Sequence, residues 1–187
     1  MKDEYYDELY ELFYSSIIEK PEVKWNDMLC DYLSERYRFF VVCTENGKQK
    51  EIEIYPSSSK LDFQLFFYSP TYSWRIIGAY EVNFFFRYID ISDSAFSEAF
   101  EEVFDKFYKK ILEIGEKHGN PLEFWEKFSN GEVSDPSAEK LVDMMQNEFN
   151  RLYEEYVLEE LADYVVMRLE EMGIIVVEKK TGYVVEK

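Results

Sequence analysis

The longest helical pattern in the sequence runs from Asp135 to Met172 and contains no glycine. Asp135 is suited to cap the first turn, and Pro136 to occupy the first helical position, where a missing N–H breaks no hydrogen bond. Gly173 is the expected stop, because glycine readily adopts the left-handed conformation that ends helices. At about 1.5 Å per residue, a straight helix of this length would span about 55 Å.

The apolar positions of this segment form two helical stripes that differ in phase. In chain order, the members of the two stripes are Leu141, Met145, Phe149, Leu152 and Tyr156, then Leu161, Val165, Leu169 and Met172. Spacings of three and four residues place the members of each stripe on one helix face. The change of phase passes through Val157 and Leu158, so we expect a kink or a break near residues 156–159.

Two shorter helices are predicted before any strand. The segment Asp3–Glu19 keeps its apolar residues on one face and is expected to end before Pro21, which cannot continue a helix. Asn26 is expected to cap a second helix that runs to about Arg36. Beyond this point the pattern changes to the two-residue alternation that is typical of strands.

The clearest local signal in the sequence is a β-hairpin. The segments Phe39–Thr44 and Lys50–Tyr55 flank Asn46-Gly47, a dipeptide that favours the tight turn between two antiparallel strands. In the second arm, isoleucines alternate with glutamates. One face of this arm is therefore expected to be exposed to water.

An antiparallel meander of four or five strands is expected to continue from this hairpin. Residues 56–59 are predicted to form a loop and Leu61–Ser69 a third strand. The segment Trp74–Ile89 is predicted to form one long strand or two, with a bend near Gly78.

A strongly apolar helix is predicted after the meander. Ser92 and Asp93 are alternative caps for it, and large apolar residues recur at helical spacing until Gly119 ends the pattern. Asn120 and Pro121 are then suited to be the cap and the first residue of a short helix.

The last part of the chain completes the predicted fold. After Gly173, two β-branched runs surround Lys180 and Gly182 and predict a hairpin. The predicted class is α+β, with an antiparallel β meander of four to five strands covered by helices, two N-terminal helices, a long acidic C-terminal helix and a C-terminal β-hairpin. No linker or repeat interrupts residues 1–187, so we expect a single α+β domain.

The chain is strongly acidic, with 39 Asp and Glu residues against 21 Lys and Arg residues, a formal net charge of -18 and a pI near 4.5. Such a surface repels nucleic acids and anionic membranes, so neither is expected as a direct partner. Cys30 and Cys43 lie in apolar segments and are expected to be reduced. The acidic N-terminus does not fit a signal peptide. We therefore expect a cytoplasmic protein, located in the host cytoplasm if it is viral.

Residues with typical catalytic chemistry are scarce. His118 is the single histidine, and its place at a predicted helix end favours an interaction with the helix dipole or with solvent. The sequence has no glycine-rich phosphate loop and no nucleophile motif, so no catalytic residue, cofactor or metal site is predicted. Glu178 and Lys180, with Asp62 as a second acid, leave a carboxylate-dependent metal hydrolase as a hypothesis.

Carboxylates are the one chemical group in excess, and they concentrate on the long helix. Between residues 135 and 172 there are eleven acidic and three basic residues, a balance of -8. The first predicted helix adds a second acidic row. The predicted partner-binding residues are Asp7, Glu8, Glu11, Glu148, Glu154, Glu155, Glu159, Glu160, Asp163, Glu170 and Glu171. The alternative is that these rows form a solvated face with no binding role.

The density of charge limits what the long helix can imitate without help. Eleven acids over about 55 Å give about one charge per 5 Å, whereas duplex DNA carries one charge per about 1.7 Å. The long helix could therefore imitate DNA only if acidic rows on other helices increased the number of charges per unit length. Tyrosines beside the acids, such as Tyr10 and Tyr14, are expected either to contact a partner or to cover the edges of the core.

The leading hypothesis is a non-enzymatic, acidic inhibitor that occupies a basic surface of a partner protein, expected to be a nucleic-acid-binding enzyme. In composition, though in no motif, the chain resembles the small DNA-mimic inhibitors that viruses and plasmids encode against restriction or CRISPR systems. The alternative is an immunity protein that neutralises a basic nuclease toxin, and the metal hydrolase is third. A homodimer through Met144, Met145 and Phe149 is a further hypothesis.

Overall fold

The computed structural model describes residues 3–180, which divide into two compact units. The first, here called the helical unit, comprises the described residues up to Glu22 together with Asp93–Tyr156. The second, the mixed unit, comprises Val23–Ser92 together with the described residues from Val157 onward. The architecture is α+β, as predicted from the sequence. The single-domain organisation stays a prediction.

Six helices lie in the described part of the chain. From α1 to α6 they are Tyr6–Leu12, Trp25–Arg36, Trp74–Ile77, Phe85–Glu116, Pro121–Ser129 and Pro136–Glu171. A π-helical segment, Phe13–Ile17, continues α1. This first helix ends before Pro21, as its sequence predicts.

Five strands form one antiparallel sheet within the mixed unit. From β1 to β5 they are Tyr37–Glu45, Lys48–Ser58, Gln64–Tyr68, Tyr80–Asn83 and Ile175–Lys179. Their order in the sheet is β4-β3-β2-β1-β5, so the predicted meander is confirmed and β5 pairs with β1 beside it. The second arm of the predicted C-terminal hairpin lies outside the described residues.

The hairpin of β1 and β2 forms around Asn46 and Gly47, as predicted. These residues have φ values of 54° and 76°, and positive φ at both central positions is what the type I′ turn of a hairpin needs. Phe39 pairs with Ile54 across the two strands, and both side chains are buried. The sequence pattern therefore set both the turn and the register here.

Two predicted strand boundaries are wrong. Residues 56–58 do not form a loop but extend β2 and pair with β3. β3 begins at Gln64 and not at Leu61. The reason lies at Phe63, whose φ of 63° is outside the extended region that a strand requires.

The region Trp74–Ile89, predicted as strand, is mostly helical. A single turn, α3, is followed by the four-residue strand β4, and α4 already begins at Phe85. Aromatic residues favour strands, but the Oδ1 of Asn83 accepts the N–H of Phe85 at 3.1 Å and satisfies an amide at the start of α4. Ser92 and Asp93, the predicted caps, therefore lie inside α4.

Asn26 is not the cap of α2, because it lies within the first turn of that helix. Its side-chain amide donates to the carbonyl oxygens of Ser59 and Leu61 and accepts the N–H of Phe63. The residue thus fixes the segment between β2 and β3. Leu29, one turn further along α2, is fully buried in the mixed unit, where α2 packs on the sheet.

Aromatic side chains of α4 form the centre of the helical unit. Phe100 and Phe104 are almost completely buried, and their rings lie 4.8 and 5.3 Å from the ring of Tyr10 in α1. Phe96 lies 4.9 Å from Phe149 of α6. The prediction of α4 as an apolar core helix is confirmed, and one aromatic core joins α1, α4 and α6 in this unit.

Helix α6 runs uninterrupted from Pro136 to Glu171, so the expected break at residues 156–159 is absent. Asp135 caps it as predicted, with its Oδ1 accepting the N–H of Ser137 at 2.7 Å. The phase change falls where the helix passes from one unit to the other, between Tyr156 and Val157. The first apolar stripe therefore belongs to the helical unit and the second to the mixed unit.

Of the three residues predicted to form a dimer contact, Met145 and Phe149 are fully buried, and the homodimer itself stays a prediction. They belong to the core face of α6, whereas the neighbouring Met144 is 41% exposed. A helical stripe read from sequence cannot distinguish a core from an interface, since both need the same apolar spacing.

Asn120 caps α5 as predicted, with its Oδ1 accepting the N–H of Glu123 at 3.0 Å. We expect Asn120→Ala to lower the free energy of unfolding by about 1 kcal/mol, the usual cost of losing such a cap. Urea unfolding followed by circular dichroism would measure it. Asn120→Asp keeps an oxygen acceptor and should stay near wild type, and an equal loss in both variants would contradict the capping role.

Candidate partner-binding site

The acidic residues of α1 lie opposite its buried face. Tyr6 and Leu9 are buried, and the helical spacing places Asp7, Glu8 and Glu11 outside, where all three are exposed. Positions 7, 8 and 11 are neighbours on one helix surface. The amphipathic pattern of α1 thus produces a carboxylate row from sequence alone.

These three carboxylates border a groove between α1 and α5. Its volume is about 480 Å³, its floor is formed by Leu12 and Leu122, and a fourth carboxylate, Glu126, completes the border. Asp7, Glu8, Glu11, Leu12, Leu122 and Glu126 are here called the acidic groove. Within residues 3–180, no Lys, Arg or His nitrogen lies within 4.0 Å of any of its four carboxylates.

The lining of the acidic groove suits an amphipathic cation. Lys and Arg side chains carry a charged head on an apolar stem, and such stems pack on apolar surface while the head stays at the border. Leu12 and Leu122 offer that surface, and the surrounding carboxylates accept charge-assisted hydrogen bonds from ammonium or guanidinium groups. The groove therefore has the chemistry to bind basic side chains of another protein.

Two of the predicted acids in the first half of α6, Glu148 and Glu155, are already paired with cations of the same unit. Glu148 lies 2.7 Å from Arg151 and 3.7 Å from Lys106, and Arg151 also lies 3.3 Å from Glu155. The hydrogen bond from Arg151 holds the pKa of Glu148 below its usual range. Glu154 is half-buried. Glu148 and Glu155 therefore have less free charge to offer a partner than the acids of the acidic groove.

The remaining predicted acids lie in the mixed unit, on the second half of α6. Glu159, Glu160 and Asp163 are exposed. Asp163 and Glu170 border a second groove of about 470 Å³ whose apolar lining includes Met167. Glu171, also at this groove, is paired with Arg168 at 2.9 Å. Each unit thus carries part of the predicted site, six of the eleven acids in the helical unit and five in the mixed unit.

Tyrosines in the helical unit hydrogen-bond to acids, a role that the sequence did not indicate. Tyr156 of α6 donates to Glu102 of α4 at 2.5 Å, and this bond, together with burial, raises the pKa of Tyr156 to about 12. Tyr6 of α1 likewise donates to Asp105 of α4. Such bonds tie α1 and α6 to α4, which favours the view that tyrosines cover core edges.

The structure also locates the histidine, the two cysteines and Glu178, which the sequence offers as candidates for catalysis or metal binding. His118 Nε2 lies 2.6 Å from Oδ2 of Asp135, the cap of α6, and this hydrogen bond lowers the pKa of Asp135. Cys30 and Cys43 are free thiols. Glu178 is exposed on β5. Across the described part of the chain, no three His, Cys, Asp or Glu side chains are grouped so that they could hold a metal ion.

Sequence reasoning missed Leu122 and Glu126 of the acidic groove. They are four residues apart on α5 and so share one face, but nothing in the sequence indicates that this face lies beside α1. The groove exists because α5 packs against α1 in the folded unit.

Comparison of the chain with protein-family models, with curated protein sequences and with solved structures finds no match. Among the helices formed by residues 3–180, none combines the length and the apolar content needed to cross a membrane.

Proposed function

We propose that this chain is a non-enzymatic, acidic binding protein that occupies a basic, nucleic-acid-binding surface of a partner protein, as an anti-restriction or anti-CRISPR inhibitor does. The observation that carries the proposal is the acidic groove, where four acidic residues that form no ion pair within residues 3–180 line a shallow apolar surface together with Leu12 and Leu122. A solvated face needs no apolar floor. A site that receives arginine or lysine side chains gains from both features.

The net charge supports the same function at longer range. A charge of -18 exceeds the roughly 2 to 8 that a small domain needs for solubility, and it adds self-repulsion to the folded state. The same field accelerates association with a basic surface and keeps nucleic acid away from the complex. The field brings the partner close, and the acidic groove then provides the short-range contacts.

The test is whether the chain displaces a protein from DNA. Nucleic-acid-binding proteins from the host cell are loaded on immobilised duplex DNA, and the free chain is added at about 0.1 M salt, where screening extends over about 10 Å. We expect wild-type chain to release a specific protein. The variant Asp7→Asn, Glu8→Gln, Glu11→Gln should release it at least about tenfold less effectively, because each exposed ion pair contributes up to about 1 kcal/mol.

A matched control separates the groove from overall charge. The variant Glu116→Gln, Glu132→Gln, Asp143→Asn removes the same charge from exposed positions of the helical unit outside the acidic groove. It should release the partner as wild type does. Equal loss in both triple variants, or no release by the wild-type chain, would contradict the proposal. Release of a nuclease toxin would instead favour the immunity function.

A further inference from the structure

A second groove of the helical unit has the opposite charge. It lies between α4 and α6, has a volume of about 520 Å³, and is lined by Lys110, Lys117 and Lys140. Lys110 lies on α4, and Lys117 directly follows Glu116, the last residue of that helix. In a chain with 21 basic and 39 acidic residues, three lysines around one groove run against the general distribution of charge. We call it the basic groove.

The floor of the basic groove is apolar. Ile114 of α4 is half-buried, Leu141 of α6 is 3% exposed and Met144 is 41% exposed. An exposed methionine beside a buried leucine offers a flexible apolar surface, because the unbranched side chain of Met adapts to different shapes. Cations at the border and an apolar floor together define an amphipathic site, and its volume is within the roughly 300–1,000 Å³ of small-molecule sites.

The lysines of this groove form no close ion pair within the described part of the chain. Within residues 3–180, no carboxylate oxygen lies within 4.0 Å of the Nζ of Lys110, Lys117 or Lys140. Glu113 also lines the groove but forms no such ion pair. Three like charges around one groove repel each other, and a bound anion would relieve this repulsion.

The charge of the whole chain limits the size of that anion. A net charge of -18 repels a polyanion or a second copy of this chain in proportion to its charge, whereas a ligand with one or two charges is repelled far less. We propose that the basic groove binds a small anionic amphiphile, a single alkyl chain with a carboxylate or phosphate head. The head lies among the three lysines, and the alkyl chain lies on Ile114, Leu141 and Met144.

This site is independent of the acidic groove, and it can be tested with defined probes. Titration calorimetry would compare dodecanoate, dodecyl phosphate and the neutral dodecanol, each below its micelle concentration. We expect both anions to bind at least about tenfold more tightly than the alcohol, since a charged hydrogen bond to lysine is much stronger than a neutral one. Tighter binding of the phosphate would identify a phospholipid-derived ligand, and tighter binding of the carboxylate a fatty acid. Either result upholds the site.

Two variants with equal charge locate the binding. Lys117→Gln, Lys140→Gln should weaken dodecanoate binding at least about tenfold, whereas Lys109→Gln, Lys127→Gln, at lysines of the same unit outside the groove, should not. Met144→Glu should also weaken binding by placing a carboxylate on the floor. Circular dichroism would verify that each variant is folded. Equal affinity for dodecanoate and dodecanol, equal loss in both double variants, or no binding to wild type would overturn the proposal.

Discussion

Replacing Trp125 with alanine is expected to lower the free energy of unfolding of the helical unit by about 3–5 kcal/mol, the range for a large aromatic residue in a core. Trp125 is fully buried on α5, and its ring lies 4.9 Å from Phe13 and 5.2 Å from Phe128. Its indole N–H donates to the carbonyl oxygen of Ile111 at 2.9 Å. The variant therefore loses both the packing and this buried hydrogen bond.

Urea unfolding followed by circular dichroism would measure this loss, and hydrogen exchange would assign it to the helical unit. Trp74, which is 64% exposed, provides the matched control, because Trp74→Ala should change stability by less than about 0.5 kcal/mol. Trp125→Phe should fall between Trp125→Ala and wild type. A small effect of Trp125→Ala, similar to that of Trp74→Ala, would mean that α5 is not part of this core.

The second large effect is expected at Gly115, where alanine should destabilise the protein. Within a helix, Gly to Ala usually stabilises by about 0.5–1 kcal/mol. At Gly115, however, a Cβ would lie 2.7 Å from the Cα and 2.8 Å from the Cβ of Pro121. Backbone atoms cannot rotate away, so α5 must shift. Overpacking of this kind costs about 1–3 kcal/mol, so after the gain in helix propensity is subtracted the net loss is up to about 2.5 kcal/mol.

Ser94→Ala is the control for helix propensity, because Ser94 is an exposed residue of the same helix. That variant should be neutral or slightly stabilising. Thermal and urea unfolding of both variants would give the comparison. Stabilisation by Gly115→Ala similar to that by Ser94→Ala would show that α4 and α5 do not approach each other as closely as described.

The parts of the fold that could be predicted are those that local chemistry determines. The turn at Asn46-Gly47 and the caps at Asn120 and Asp135 each depend on one or two residues and their own backbone. The segment Trp74–Ile89 could not be predicted in the same way. Its aromatic residues favour strands, and this preference outweighs the one local signal for a helix start, the bond from the Phe85 N–H to Asn83.

The candidate site could be predicted only as far as its charges. Amphipathic periodicity correctly places Asp7, Glu8 and Glu11 on an exposed face. It gives no information about which acids are already neutralised, since Glu148 pairs with Lys106, a residue 42 positions earlier in the chain and on another helix. The floor of the acidic groove likewise depends on the packing of α5 against α1.

The phase change in α6 predicts a kink or a break, but the helix is continuous and the change has another cause. A helix that contributes to one core presents one apolar stripe, and a change of stripe requires a bend, a break or a change of core. The division at Tyr156 and Val157, within an unbroken helix, identifies the third case. Sequence periodicity detects the position of the change but does not distinguish among these causes.

The way in which the two units share the chain has a consequence for synthesis on the ribosome. Each unit consists of two separated segments, and the mixed unit needs the residues from Val157 onward in addition to Val23–Ser92. Its sheet cannot be completed until β5, Ile175–Lys179, has emerged. At about 5–20 residues per second, β1 waits for β5 for roughly 7–27 s. During that interval its unpaired edge is exposed, so nascent chains of this protein are expected to need chaperone protection until late in translation.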